Sequence, residues 1–186
     1  MSTRQLNNPM AIQRYHPALV LLHWLSAVLL LLLALGMGSQ VLAELPNTSP
    51  DKPQALMGHM IVGGLILVLT LIRWVVRLKT AHPPAASTGM AWADRVAPHM
   101  HWALYAGILA MVGSGITMSI AFDLPAVVFS GQGSLPPNFH AIAARSVHGL
   151  VSKLLALLIV LHVGAALFHH FVKRDGLLPR MGFGQR

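Results

Sequence analysis

Three observations predict an all-α fold for this chain: an integral membrane four-helix bundle with both termini on the cytoplasmic side. Of 186 residues, 55% are hydrophobic and only 10% are charged, whereas soluble domains carry about 25% charged residues. The apolar residues gather into four long runs separated by turn-rich polar stretches. If four spans alternate in direction, ten of the thirteen lysines and arginines fall on the side that holds both termini. Under the positive-inside bias, that side is the cytoplasm.

Met1 to Tyr15 is polar and reads as a short arm. Pro17 suits the first turn of a helix, and the run 17–43 is long enough to cross a hydrocarbon core about 30 Å thick. A cleavable signal is the rival reading, because Val41, Leu42 and Ala43 precede Glu44 like a processing site. The apolar core is longer than the roughly 7–15 residues of a signal core and contains His23, so a retained span is expected.

Leu45 to Pro53 is a polar turn, and the second span, 54–78, has His59 near its start and Arg73, Arg77 and Lys79 at its far end. Thr80 to Gly89 forms a loop of small residues and proline. The third span, 92–122, carries Asp94, Arg95, Pro98, His99 and His101 in its first turns. Asp123 to Asn138 is the longest loop, and its pattern leaves open whether it holds a short interfacial helix. The fourth span, 140–173, precedes a basic tail that is expected to leave the membrane. Residues 1–186 thus read as a single membrane domain without internal repeats.

Composition also excludes. The formal charge of +8 comes from short basic clusters beside apolar runs, which is how orientation signals are distributed. Lipid, not nucleic acid, is the expected partner. The chain has no cysteine, so disulfides, iron–sulfur clusters and covalent haem attachment are ruled out.

Histidines inside apolar spans carry the chemistry. His148 and His162 lie fourteen residues apart on the fourth span, almost four whole turns at about 100° per residue, so both rings share one stripe roughly 21 Å apart in depth. His23 comes early in a span that starts inside, and His59 early in a span that starts outside. Depth therefore matches His23 with His162 and His59 with His148. Each pair is a plausible axial couple for one haem held between facing helices, and two such couples make an electron path across the membrane. A lone histidine in an apolar span is more often a hydrogen-bonded packing residue; four in two depth-matched pairs are much harder to explain that way. A haem-free metal-ion transporter is the rival from another class, but metal paths usually add carboxylates, and none of the five acidic residues lies mid-span.

The sequence resembles the bacterial cytochrome b-561 family. The matching pieces are Leu22-His23-Trp24, Gly58-His59, the RWVVRL pattern of Arg73 to Leu78, and the long stretch Val147 to Met181 with His148, His162, His169 and His170 before a Lys-Arg-Asp-Gly exit. The resemblance covers essentially the whole chain. It implies a multi-pass protein of the bacterial inner (plasma) membrane with two haems b, ligated by His23, His59, His148 and His162. It further implies electron exchange with ubiquinone. Some members look like superoxide oxidases, which pass an electron from superoxide at the outer face to the quinone, an oxidoreductase reaction. Related four-helix cytochromes serve as subunits of membrane hydrogenases or dehydrogenases, the alternative function that the resemblance implies.

Around this frame, Arg145 and Arg73 are candidates for the outer and inner haem propionates, against the commoner role of anchoring helix ends. His101 and His169, near the cytoplasmic interface, are candidates for hydrogen-bonding a quinone carbonyl, against contact with lipid headgroups. Lys153 either snorkels outward or approaches the outer pair. Trp24, Trp74, Trp92 and Trp102 read as an aromatic belt.

Overall fold

The computed structural model describes residues 14–37, 41–84 and 90–182; Arg4, Arg186 and the tip of the second loop lie outside them, as does the side chain of Trp92. His16 caps α1 (Pro17–Leu32), its Nδ1 accepting from the Ala18 amide at 3.2 Å. Pro17 loses nothing there, because the first amides of a helix have no partner within it. The helix passes into a π turn, Leu33–Met37, and a short α2 (Val41–Glu44) follows.

The long α3 (Lys52–Lys79) ends with Arg77 and Lys79 in its last turn, where cations meet the negative end of the helix dipole. After α4 (Ala91–Ala121), Asp123 turns the chain with φ 45° into α5 (Leu124–Ser130), so the longest loop does contain a short helix. Its end is set by Gly131, whose φ of 65° suits a residue without Cβ. Finally α6 (Ala143–Phe168) runs into a π turn, His169–Lys173, and a 3-10 turn, Leu178–Met181.

All regular structure among the described residues is helical. Four stretches are long and apolar enough to cross a membrane: Pro17–Gly36, Lys52–Lys79, Asp94–Ala121 and Ala143–Lys173. Large apolar side chains such as Leu32, Val68, Ile120 and Val160 are exposed along them, which a water-soluble monomer would rarely tolerate. Lys153 also lies on the exposed surface of α6.

Packing is closest between α4 and α6, and next between α1 and α3. The shared core is small: Ile66, Ile108 and Leu155, with Leu29, Leu30 and Leu33 against them. Gly107 permits the α4–α6 approach, since a Cβ there would lie 3.1 Å from Leu155 Cδ1.

Both ends of the bundle are tied. At the Lys52 end, the buried ammonium of Lys52 donates to the carbonyls of Leu42 and Leu45. Asn47 Nδ2 donates to the Pro136 carbonyl at 2.8 Å. At the opposite end, the tail after α6 folds back onto the bundle. Tyr15 N donates to the Arg180 carbonyl at 3.1 Å, Trp24 Nε1 to the Met181 carbonyl at 3.0 Å, and Arg180 Nη1 to the Pro84 carbonyl at 2.8 Å. Hydropathy carries no trace of these bonds, because backbone carbonyls accept them.

Candidate functional site

The heptad-like stripe of α6 presents His148 and His162 to two different helices. His59 of α3 faces His148 with ring centroids 6.0 Å apart and planes at 60°. His23 of α1 faces His162 with centroids 6.2 Å apart and planes at 67°. With metal–imidazole bonds of about 2 Å, two imidazoles on opposite sides of one metal ion have centroids roughly 6 Å apart, so each pair has the spacing of an axial couple. The helices that carry each pair, α1 with α6 and α3 with α6, are not among the closely packed ones.

Other features suit a macrocycle better than a bare cation. Among the described residues no group of three or more His, Cys, Asp or Glu side chains comes together as a metal cage. Two protein nitrogens are too few for a cation held by protein alone, and suffice where a porphyrin supplies the remaining ligands. His59 Nδ1 and Arg73 Nε are buried without hydrogen-bond partners among the described residues, an arrangement that burial penalises unless another group completes it.

Cations flank each pair. Arg73 lies within electrostatic reach of His23, His162 and His101. Its guanidinium donates to Tyr105 Oη and sits 5.5 Å from that ring's centroid. Arg145 lies one turn before Gly149, where a Cβ would be 3.2 Å from its Nη1, and its charge reaches His148 and Lys52. Each pair thus has one arginine within electrostatic reach, Arg73 for His23 and His162 and Arg145 for His148.

The two quinone candidates separate. His101 joins the His23–His162 pair: its ring centroid is 5.6 Å from that of His162, and its Nδ1 bonds the Ala97 carbonyl at 3.3 Å. His169 is buried at the end of α6, bonded through Nδ1 to Asp175. Tyr105, Ser114 and Asp175 escaped the sequence reading. Only Asp175, inside the Lys-Arg-Asp-Gly exit, carried a signal; a tyrosine and a serine in an apolar helix look like ordinary packing residues.

Comparison with known proteins decides the family. The family pattern described as Prokaryotic cytochrome b561 matches residues 14–184. The chain belongs to that family. Curated relatives agree along almost the full length. The chain is 26% identical to Cytochrome b561 homolog 1 of Escherichia coli (strain K12) over 91% of this chain and 97% of the relative. It is 29% identical to the Probable superoxide oxidase CybB of Yersinia pestis, over 86% and 90% respectively. It is also 29% identical to Cytochrome b561 homolog 2 of Escherichia coli (strain K12), over 91% of each. As a member of the prokaryotic cytochrome b561 family, it is a multi-pass bacterial membrane cytochrome that binds haem b and transfers electrons.

Proposed function

We propose that this cytochrome holds two haems b, one between His59 and His148 and one between His23 and His162, and carries electrons across the bacterial inner membrane to ubiquinone. The observation behind this reading is the pair of histidine couples on one stripe of α6, each with the centroid spacing of a bis-axial site. Haem iron with two imidazole ligands supplies one-electron transfer without an open position for oxygen chemistry. The protein's part is to hold the couples at two depths, exclude water between them and place cations at each level. The basic side then carries both termini in the cytoplasm, with the inner pair near it.

At the outer face the proposed donor is superoxide, as the name of the Yersinia pestis relative suggests. Arg145 puts positive charge near the outer couple, with Lys52 in turn within reach of Arg145, which favours approach of a small anion. Each superoxide gives up one electron and leaves as oxygen; a quinone takes up a pair of electrons and a pair of protons. Imidazole is the side chain suited to relay those protons near neutral pH, so His101 and His169 remain the quinone-side candidates, His101 the nearer to the inner couple.

The decisive experiment is a reduced-minus-oxidised spectrum with pyridine-haem quantification, run beside His59→Ala and His162→Ala. The expected result is two haems b per chain, with each variant losing a different one. A protein with no haem would overturn the reading in favour of a metal path, and a single haem would mean that one couple is wrong. Superoxide and quinone kinetics then follow on the protein so characterised.

A further inference from the structure

Ser114 of α4 is 7% exposed and stands between Gly113 and Gly115. Its Oγ lies 2.9 Å from the Met111 carbonyl oxygen and 2.9 Å from His148 Nδ1. A hydroxyl has one proton to give and lone pairs to receive with. The carbonyl can only accept, so the serine proton goes to Met111, and towards His148 the serine oxygen is the acceptor. His148 Nδ1 then carries the ring proton and leaves Nε2 its lone pair, the state in which Nε2 can bind a metal. The ring is seated against α4 as well, because a Cβ on Gly115 would come 3.6 Å from its Cε1. Among the described residues His59 has no such anchor: its buried Nδ1 meets no hydrogen-bond partner.

We propose that Ser114 is a positioning residue for the outer haem: it fixes His148 as the Nδ1–H tautomer, aims Nε2 at the iron and makes it the stronger donor of the outer couple. This rests on the two-haem reading above. A hydrogen bond accepted from the distal ring nitrogen raises the basicity of the ligating one. A more basic ligand favours oxidised iron, so Ser114 holds the outer midpoint potential below that of an unanchored ligand. It also makes the two axial ligands of one iron unequal, with α4 acting on the site through α6 although it supplies no ligand of its own.

The test is a redox titration with haem quantification on Ser114→Ala, Ser114→Thr and Ser114→Val. Threonine keeps the hydroxyl and valine has the same shape without it. The expected result is an upward shift of the outer midpoint, or selective loss of the outer haem, in the alanine and valine variants. The inner midpoint stays in place, and the threonine variant resembles the parent. Two results would overturn the assignment: an alanine variant with both midpoints unchanged, or threonine and valine variants with the same outer midpoint. His148→Ala, measured alongside, separates the two levels of argument. If that variant kept both haems, the ligand assignment itself would fail, whereas unaltered serine variants beside a His148→Ala that loses one haem would remove only the role of Ser114.

Discussion

His162 faces two histidines, His23 at 6.2 Å and His101 at 5.6 Å between ring centroids, but only one of them comes from a helix packed tightly against its own. His101 is on α4, the closest neighbour of α6, whereas α1 and α6 are not a closely packed pair. A flat macrocycle needs the wider gap, so His23 is the better axial partner despite its slightly greater distance. His101→Leu should therefore retain two haems per chain, with altered quinone kinetics, while His23→Leu should lose one. Haem quantification decides it, and loss of a haem from the His101 variant would transfer the ligand role to α4.

Gly115 sets a size limit beside the His59–His148 couple. An alanine Cβ at this position would meet the His148 ring at 3.6 Å, an ordinary van der Waals contact. Gly115→Ala should thus keep the parent haem content and gain helix stability of about 1 kcal/mol. Gly115→Leu must push the ring aside, at an overpacking cost of roughly 1–3 kcal/mol, and should lower occupancy of the outer haem alone. Equal spectra for the leucine variant and the parent would show that the ring has room to move.

What the sequence made legible follows from which forces act along one helix. Span length and the positions of His23, His59, His148 and His162 along their helices are properties of single segments, so they could be read before any packing was known. Contacts between segments were not readable. The approach of His101 to His162 depends on how α4 is rotated against α6, and a helix that is apolar on every side gives no moment from which to infer that rotation. The Ser114–His148 bond joins residues thirty-four positions apart, and the tail clasp uses backbone carbonyls at Arg180 and Met181 that no residue type announces.

Arg73 lies within electrostatic reach of the His23–His162 couple, and its buried Nε lacks a hydrogen-bond partner among the described residues. A positive charge near an iron favours its reduced, less positive state. Removing that charge with Arg73→Leu should lower the inner midpoint by tens of millivolts, where about 59 mV corresponds to a tenfold change for one electron. Arg73→Lys should recover most of the potential but less of the stability, since a lysine cannot reproduce both the Tyr105 hydrogen bond and the stacked guanidinium geometry. A redox titration in which the leucine variant leaves the inner midpoint unmoved would separate Arg73 from that site.

The tail clasp should respond to acid through Asp175. Burial by itself raises this carboxyl, but hydrogen bonds from His169 and from the Leu177 amide outweigh it and hold the group below its ordinary value. A carboxyl whose pKa falls on folding contributes stability above its unfolded pKa of about 3.9, and loses it as the pH drops through the folded value. The clasp should therefore be constant from neutral pH down to about pH 4 and open only in stronger acid. Asp175→Asn should weaken it by about 1 kcal/mol above about pH 4, the scale of a partly exposed charged hydrogen bond, and the difference from the parent should vanish in stronger acid. Amide exchange of the 3-10 turn Leu178–Met181, corrected for intrinsic rates, measures this directly. Because the Met181 carbonyl accepts from Trp24 Nε1 and the Trp24 ring packs 5.2 Å from that of His23, the same variant should broaden the spectrum of the inner haem. If exchange rose already between pH 7 and pH 5, a group other than Asp175 would be the one holding the tail.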